Sequence, residues 1–93
     1  MKKIYFDYKE GERLFMDIKM FYKSQVEVSE VINLIIDGYW NNEIEEKVMI
    51  DRINRLIKTN LSKVIKDNDF TTVIKQKCGK RRLEIVSNII DIH

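Results

Sequence analysis

Five positive charges lie within the eight residues KQKCGKRR (75–82), around the chain's only cysteine, Cys78, and one of its three glycines, Gly79. Clustered Lys and Arg suit the holding of phosphate or carboxylate oxygens, because ammonium and guanidinium groups supply charge and several N–H donors together. The candidate contact residues are therefore Lys75, Lys77, Lys80, Arg81 and Arg82. Gly79 reads as the stop between two helices, so Lys80, Arg81 and Arg82 open the second one, where free backbone N–H groups and the positive dipole end also favour an anion. The ordinary explanation is a solvated basic turn. Lys75 and Lys77 suit the negative end of the first helix, and Lys80 or Arg81 can pair with Glu84 along the second. That explanation leaves one detail over, since three cations at a helix start oppose the dipole of the helix they open.

Groups for catalysis are sparse. His93 is the terminal residue of the sequence and has no positioned partner, and Cys78 falls on the apolar face of its helix, where a cysteine is usually a small core residue. Asp67-Asn68-Asp69 lacks the glycine and the twelfth-position glutamate of a calcium loop, and Glu43, Glu45 and Glu46 read as a solvated helix start. No zinc ligand set is present in the sequence. The expectation is a non-enzymatic protein with no cofactor and no metal.

Two named nucleic-acid motifs fit the basic stretch poorly. A helix-turn-helix wants a small residue where Lys75 stands and an apolar one where Lys80 stands; a helix-hairpin-helix wants a second glycine where Arg81 stands. Any nucleic-acid contact should then be mostly backbone electrostatics, steeply salt-dependent and with little reading of bases.

The elements that must carry these residues read as mostly helical. Ser24 and Glu27 have capping-box spacing ahead of Val28, Val31, Ile32, Ile35, Ile36 and Tyr39, which predicts a helix over 25–40. Asn42 with Glu45 predicts a second start, and Ile44, Val48, Met49, Ile53, Leu56 and Ile57 carry that helix to 58. Leu61, Val64 and Ile65 read as an apolar turn, and Asp69 as the cap of a helix bearing Phe70, Val73, Ile74 and Cys78. Leu83, Val86 and Ile90, widened by Ile85, Ile89 and Ile92, form the face of the last helix. The first 22 residues fit two patterns: Ile4, Phe6 and Tyr8 alternate as in a β-hairpin turning at Glu10-Gly11, while Leu14, Phe15, Ile18, Phe21 and Tyr22 have helical spacing. The hairpin or a single strand is the reading adopted, with the helix left open. The expected fold is thus a small, mostly α domain of three or four helices with an N-terminal β-hairpin (α+β), one domain over 1–93 with its helical part over 24–92.

Composition agrees with this scale. Ninety-three residues, 44% hydrophobic, build one modest core. No apolar run exceeds four residues, against about 20 for a membrane span. A lone cysteine and no secretory leader pattern lead to a cytoplasmic expectation without membrane contact. The net charge of +2 conceals a division: 1–46 holds six Lys/Arg against ten Asp/Glu, and 47–93 holds eleven against five, which favours a basic face. Proline and alanine are absent, so Ile, Val, Lys and Glu fill helix positions and leave much of helix stability to packing. Exposed aromatics can stack on bases, but Trp40 and the N-terminal Tyr and Phe residues read first as packing groups, Trp40 as an anchor against the next helix.

DGYWNNEI (37–44) and DFTTVIKQKCGKRRLEIVSNII (69–90) resemble a family of short uncharacterised proteins of clostridia and related low-GC Gram-positive bacteria and their mobile elements. The likeness spans 22–90 and is most specific at the Tyr39-Trp40 pair and the Gly-Lys-Arg-Arg-Leu turn. It implies the helical layout and a phage or plasmid origin, and no mechanism. The expected function is a small regulator that binds DNA, RNA or a nucleoprotein complex through the basic helix-Gly-helix turn. Two alternatives stand beside it: a protein-binding module, such as a phage or mobile-element inhibitor that docks on a host defence complex (anti-CRISPR-like), and a homodimeric structural protein.

Overall fold

A computed structural model of the chain describes residues 21–90. Among them four helices and one two-stranded hairpin follow in the order α1 (Gln25–Trp40), α2 (Glu46–Thr59), α3 (Leu61–Val64), β1 (Ile65–Lys66), β2 (Asp69–Phe70) and α4 (Thr72–Ile90). The fold is mostly α, as the periodicity predicts. Residues 1–20 of the N-terminal hairpin expected over 1–22, along with Ile92 and His93, lie outside the described residues.

The start of α1 is the one its sequence spells. Ser24, extended at φ −125° and ψ 159°, accepts the Glu27 N–H on its hydroxyl at 3.1 Å, and the Glu27 carboxylate accepts the N–H groups of Lys23 and Ser24. Such a box satisfies donors that a helix start leaves open, and loss of the Ser side chain typically costs about 1 kcal/mol. At the other end the chain turns back sharply: the Gly38 carbonyl accepts from both Glu43 and Ile44, and Asn42 is left-handed at φ 63°. Asn42 is therefore part of the stop of α1, and the cap position of α2 is Glu45, which corrects the expected Asn42 start. Asn tolerates that backbone better than most residues, so the side chain suited to a cap serves as a turn instead.

The second correction concerns residues 60–71. Asn60 closes α2 and opens α3; its side chain, 1% exposed, accepts the Tyr22 N–H at 3.0 Å and donates to the Leu56 carbonyl at 2.8 Å. The stretch read as an apolar turn contains the short α3 and then β1. Asp67 and Asn68 both take positive φ, 54° and 65°, which is the two-residue turn whose twist suits an antiparallel pair, and Ile65 faces Phe70 while Lys66 faces Asp69. Asp69 is thus a strand residue and Phe70 lies outside the helix. Thr71 ties the exit of the hairpin to α3, its N–H donating to the Val64 carbonyl and its hydroxyl to that of Lys63.

The core forms where α1 packs against both α4 and α2. Val28, Ile32 and Ile36 of α1, Ile53 and Leu56 of α2, Val64 of α3, and Ile74 and Val86 of α4 are fully buried. Each is a branched aliphatic whose burial is worth about 1.5–3 kcal/mol. Arg52 is buried among them at 1% exposure, on the seam that holds Met49, Ile53 and Leu56.

Candidate nucleic-acid interface

The site is built on a break in α4. Gly79 takes φ 84° and ψ 164°, a combination that essentially only glycine adopts, and it separates helical segments 72–78 and 80–90. The expected helix stop is therefore present at Gly79. A break leaves carbonyls at the end of the first segment without their usual helical donors, and buried or half-buried carbonyls need replacements. Two side chains supply them: Asn33 Nδ2 donates to the Lys77 carbonyl at 3.0 Å, and Arg82 Nη1 donates to the Cys78 carbonyl at 3.1 Å.

Arg82 does more than cap. Its Nε and Nη2 donate to the two oxygens of Asp37, each at 3.0 Å, in the forked geometry that a guanidinium and a carboxylate share. The paired Asp37 carboxylate raises the guanidinium pKa above its usual value, so Arg82 stays charged. The cation that seemed misplaced at a helix start is accounted for by a partner 45 residues earlier.

Asn33, Asp37 and Trp40 stand at i, i+4 and i+7 along α1, on one stripe that faces the break. Ser29 extends the same line, its carbonyl accepting from the Cys78 thiol at 3.7 Å. Burial pushes that thiol up to about 11, against a smaller opposing effect of Arg82, so Cys78 is protonated at neutral pH and is a core group. At the top of the stripe Trp40 is 41% exposed, with the guanidinium carbons of Arg81 and Arg82 at 5.6 and 5.9 Å from its ring centroid. Both lie within the range of a cation–aromatic contact. Trp40 thus meets α4 while remaining an exposed residue.

The remaining cations divide. Lys75 Nζ lies 2.7 Å from Asp69 Oδ2; Lys75, together with the Phe70 N–H, holds the Asp69 carboxyl below the usual carboxylate range. Lys77, Lys80 and Arg81 are exposed, and among the described residues no carboxylate lies within ion-pair reach of them. An open groove of about 460 Å³ runs beside the second segment, lined by Lys75, Lys80, Leu83, Glu84 and Ser87. The five sequence-predicted residues therefore surround one break: three present bare charge, Lys75 is matched by Asp69, and Arg82 holds the break together. Sequence reasoning missed Asn33 and Asp37, whose partners are distant in the chain; their only local signal is the i, i+4, i+7 spacing with Trp40.

Among the described residues no group of three or more His, Cys, Asp or Glu side chains is placed to hold a metal ion, and no helix is long and apolar enough to cross a membrane. Fold and surface together define a small, mostly α-helical protein with a broken basic helix presented to solvent. The chain belongs to the CLB_0814 family, described as conserved hypothetical protein and named after a clostridial gene, whose family model matches residues 19–91. No curated protein and no solved structure matches it.

Proposed function

We propose that this chain is a small, non-enzymatic nucleic-acid- or nucleoprotein-binding regulator whose contact surface is the outer side of the Gly79 break. The observation that carries the reading is the set of three exposed cations, Lys77, Lys80 and Arg81, without carboxylate partners among the described residues, on a backbone that Asn33, Asp37 and Arg82 fix from behind. A fixed backbone suits a phosphate chain because only the exposed side chains, and not the turn that carries them, have to be ordered on binding. Lys75 adds to the field at low salt, and Arg82 contributes chiefly by holding the shape.

Three phosphate contacts predict a log–log salt slope near −2.7 on duplex DNA, a fall in affinity of about 40-fold between about 50 and about 200 mM salt. The test is anisotropy of a labelled oligonucleotide with the wild type and with Lys77, Lys80 and Arg81 all changed to Glu. Binding that the triple reversal leaves intact, or that is absent at about 50 mM salt, removes the reading.

The competing reading is a protein-binding module, including a mobile-element inhibitor of a host defence complex. Phe21 and Leu61, 57% and 53% exposed, favour it: they adjoin in sequence the two residues of the Tyr22–Asn60 hydrogen bond and so present two large apolar groups near one another. A host complex that survives nuclease and the triple reversal, but is lost on Phe21→Ser with Leu61→Ser, selects this reading. A mass at twice the monomer that the same pair of changes abolishes selects the homodimer.

A further inference from the structure

We propose that Trp40 and Arg81 form a stacking platform for the bases of a single-stranded nucleic acid, with Lys77 and Lys80 taking its phosphates. This rests on the reading above and narrows it from nucleic acid in general to the single-stranded form.

Trp40 has the largest side chain on α1, and packing normally hides most of an indole. Here the residue is 41% exposed, although the same helix buries Val28, Ile32 and Ile36 completely. What lies over the ring is charge, with the guanidinium carbons of Arg81 and Arg82 both within 6 Å of its centroid. Arg82 is committed to Asp37 and to the Cys78 carbonyl, so its position is set by the fold. Arg81 is exposed, and the indole is the partner the structure gives it. An exposed indole with a guanidinium over it leaves the open part of the ring and the outer side of the Arg81 guanidinium for a third flat group to stack on.

A duplex hides its base faces and would meet only the cations. Three cations alone make a weak duplex binder, and the ring would then have nothing to do. A single strand presents a base face to the ring and its phosphates to the lysines, the combination found in grooves that hold unpaired strands. Asn33, which bonds the Lys77 carbonyl, and Trp40 are seven residues apart on α1, so the Lys77 backbone sits about 10 Å along the helix from the ring's own residue at 1.5 Å per residue. Stacking is indifferent to which base it meets, so the preference should be for strand form rather than sequence.

Trp40 is the only tryptophan in the chain, so its fluorescence reports the platform directly. The experiment titrates the full chain at low salt with labelled oligodeoxythymidylate of about 20 nucleotides, a length exceeding the site sizes typical of such grooves, and with a duplex of equal length. Label anisotropy and Trp40 emission are read together. The expected result is quenching of Trp40 in step with anisotropy for the single strand. Trp40→Leu, which keeps an apolar side chain against α4 but removes the π face, should weaken the single strand by about 5- to 150-fold, the range of one lost stacked base. Its effect on the duplex should be less than about twofold, and a far-ultraviolet melt of the variant checks that the fold is kept. Arg81→Lys, which retains the charge and loses the plane, should weaken the single strand in the same direction. Anisotropy that saturates while Trp40 emission stays unchanged, with Trp40→Leu binding as the wild type does, overturns the platform and leaves the electrostatic reading standing. No anisotropy change with either oligonucleotide overturns both.

Discussion

Gly79 and Gly38 predict opposite responses to the same substitution. At Gly79 an added Cβ would meet nothing within 4 Å, so Gly79→Ala introduces no clash; the whole effect comes from φ 84° and ψ 164°, which an L-residue occupies at a cost of about 1–3 kcal/mol. At Gly38 the backbone is helical and the Cβ would meet Ile44 Cγ1 at 3.6 Å, Ile44 Cδ1 at 3.7 Å and a Glu43 carboxylate oxygen at 3.8 Å, all ordinary contacts. Gly38→Ala therefore keeps the propensity gain of Ala over Gly, up to about 1 kcal/mol. In a domain of this size each kcal/mol moves the thermal midpoint by about 4–8 °C. Circular-dichroism melts of the two variants should lie on opposite sides of the wild type. A chain assembled by ligation with D-alanine at 79 isolates the cause: for a D-residue the same angles mirror an ordinary extended conformation, so the midpoint should return to the wild-type value or exceed it. An unchanged midpoint for Gly79→Ala, or equal damage from the L- and D-residues, would refute the claim that positive φ is what this position requires.

Three further outcomes are expected. A double-mutant cycle on Asp37→Ala and Arg82→Ala should show a coupling of about 1 kcal/mol, because the pair is forked but partly exposed, and it should shrink in high salt; zero coupling would mean that the two residues act separately. Asn60→Ala removes at once the acceptor of the Tyr22 N–H and a donor to the Leu56 carbonyl, so urea unfolding should show a loss of about 1–3 kcal/mol, and a change below about 0.5 would contradict the hydrogen-bond assignment. The Cys78 thiol is raised from 9.0 to about 11, so the unfolded thiol ionises first as pH rises and the folded state then holds the extra proton. Its contribution is complete below pH 9 and is lost through pH 11; Cys78→Val should flatten the wild-type decline in stability across that window, with the part due to the raised Tyr22 hydroxyl remaining.

The readable parts of the chain were those whose cause is local. Ser24 and Glu27 are three residues apart and satisfy each other, so α1 could be placed from its spelling; Gly79 stops a helix by its own backbone freedom, and Cys78 follows from periodicity. Ambiguity entered where one residue type serves two purposes. Asn42 and Asp69 suit helix caps, yet Asn also suits a left-handed turn, and the pair Asp67-Asn68 carried a hairpin signal that the cap reading of Asp69 obscured. Arg52 stands on the apolar spacing of α2 and is buried, which a pattern of apolar residues alone does not pick out. At the site, the five cations were visible as composition, while their division into bare, matched and structural groups depends on Asp69, Asp37 and Asn33. The Asp37 and Asn33 contacts span 45 and 44 residues, beyond any local pattern, and so does the placing of Trp40 beside Arg81.

The break at Gly79 also acts as a phase shift. The buried residues of α4 are Ile74, Cys78, Leu83 and Val86, and the interval from Cys78 to Leu83 is five. In an unbroken helix five residues advance the direction by about 140° beyond a full turn, which would point Leu83 and Val86 away from the face that Ile74 and Cys78 share. Gly79 absorbs that surplus, so both segments address one core. Lys77, Lys80 and Arg81, at i, i+3 and i+4, would share one side of an unbroken helix as well, so it is the apolar residues and not the charges that require the reset. A chain shortened by this single residue would carry a continuous apolar stripe with intervals of four, four and three residues and a straight rod in place of the corner. The glycine that disrupts the helix is what keeps the hydrophobic register of its two segments on one core.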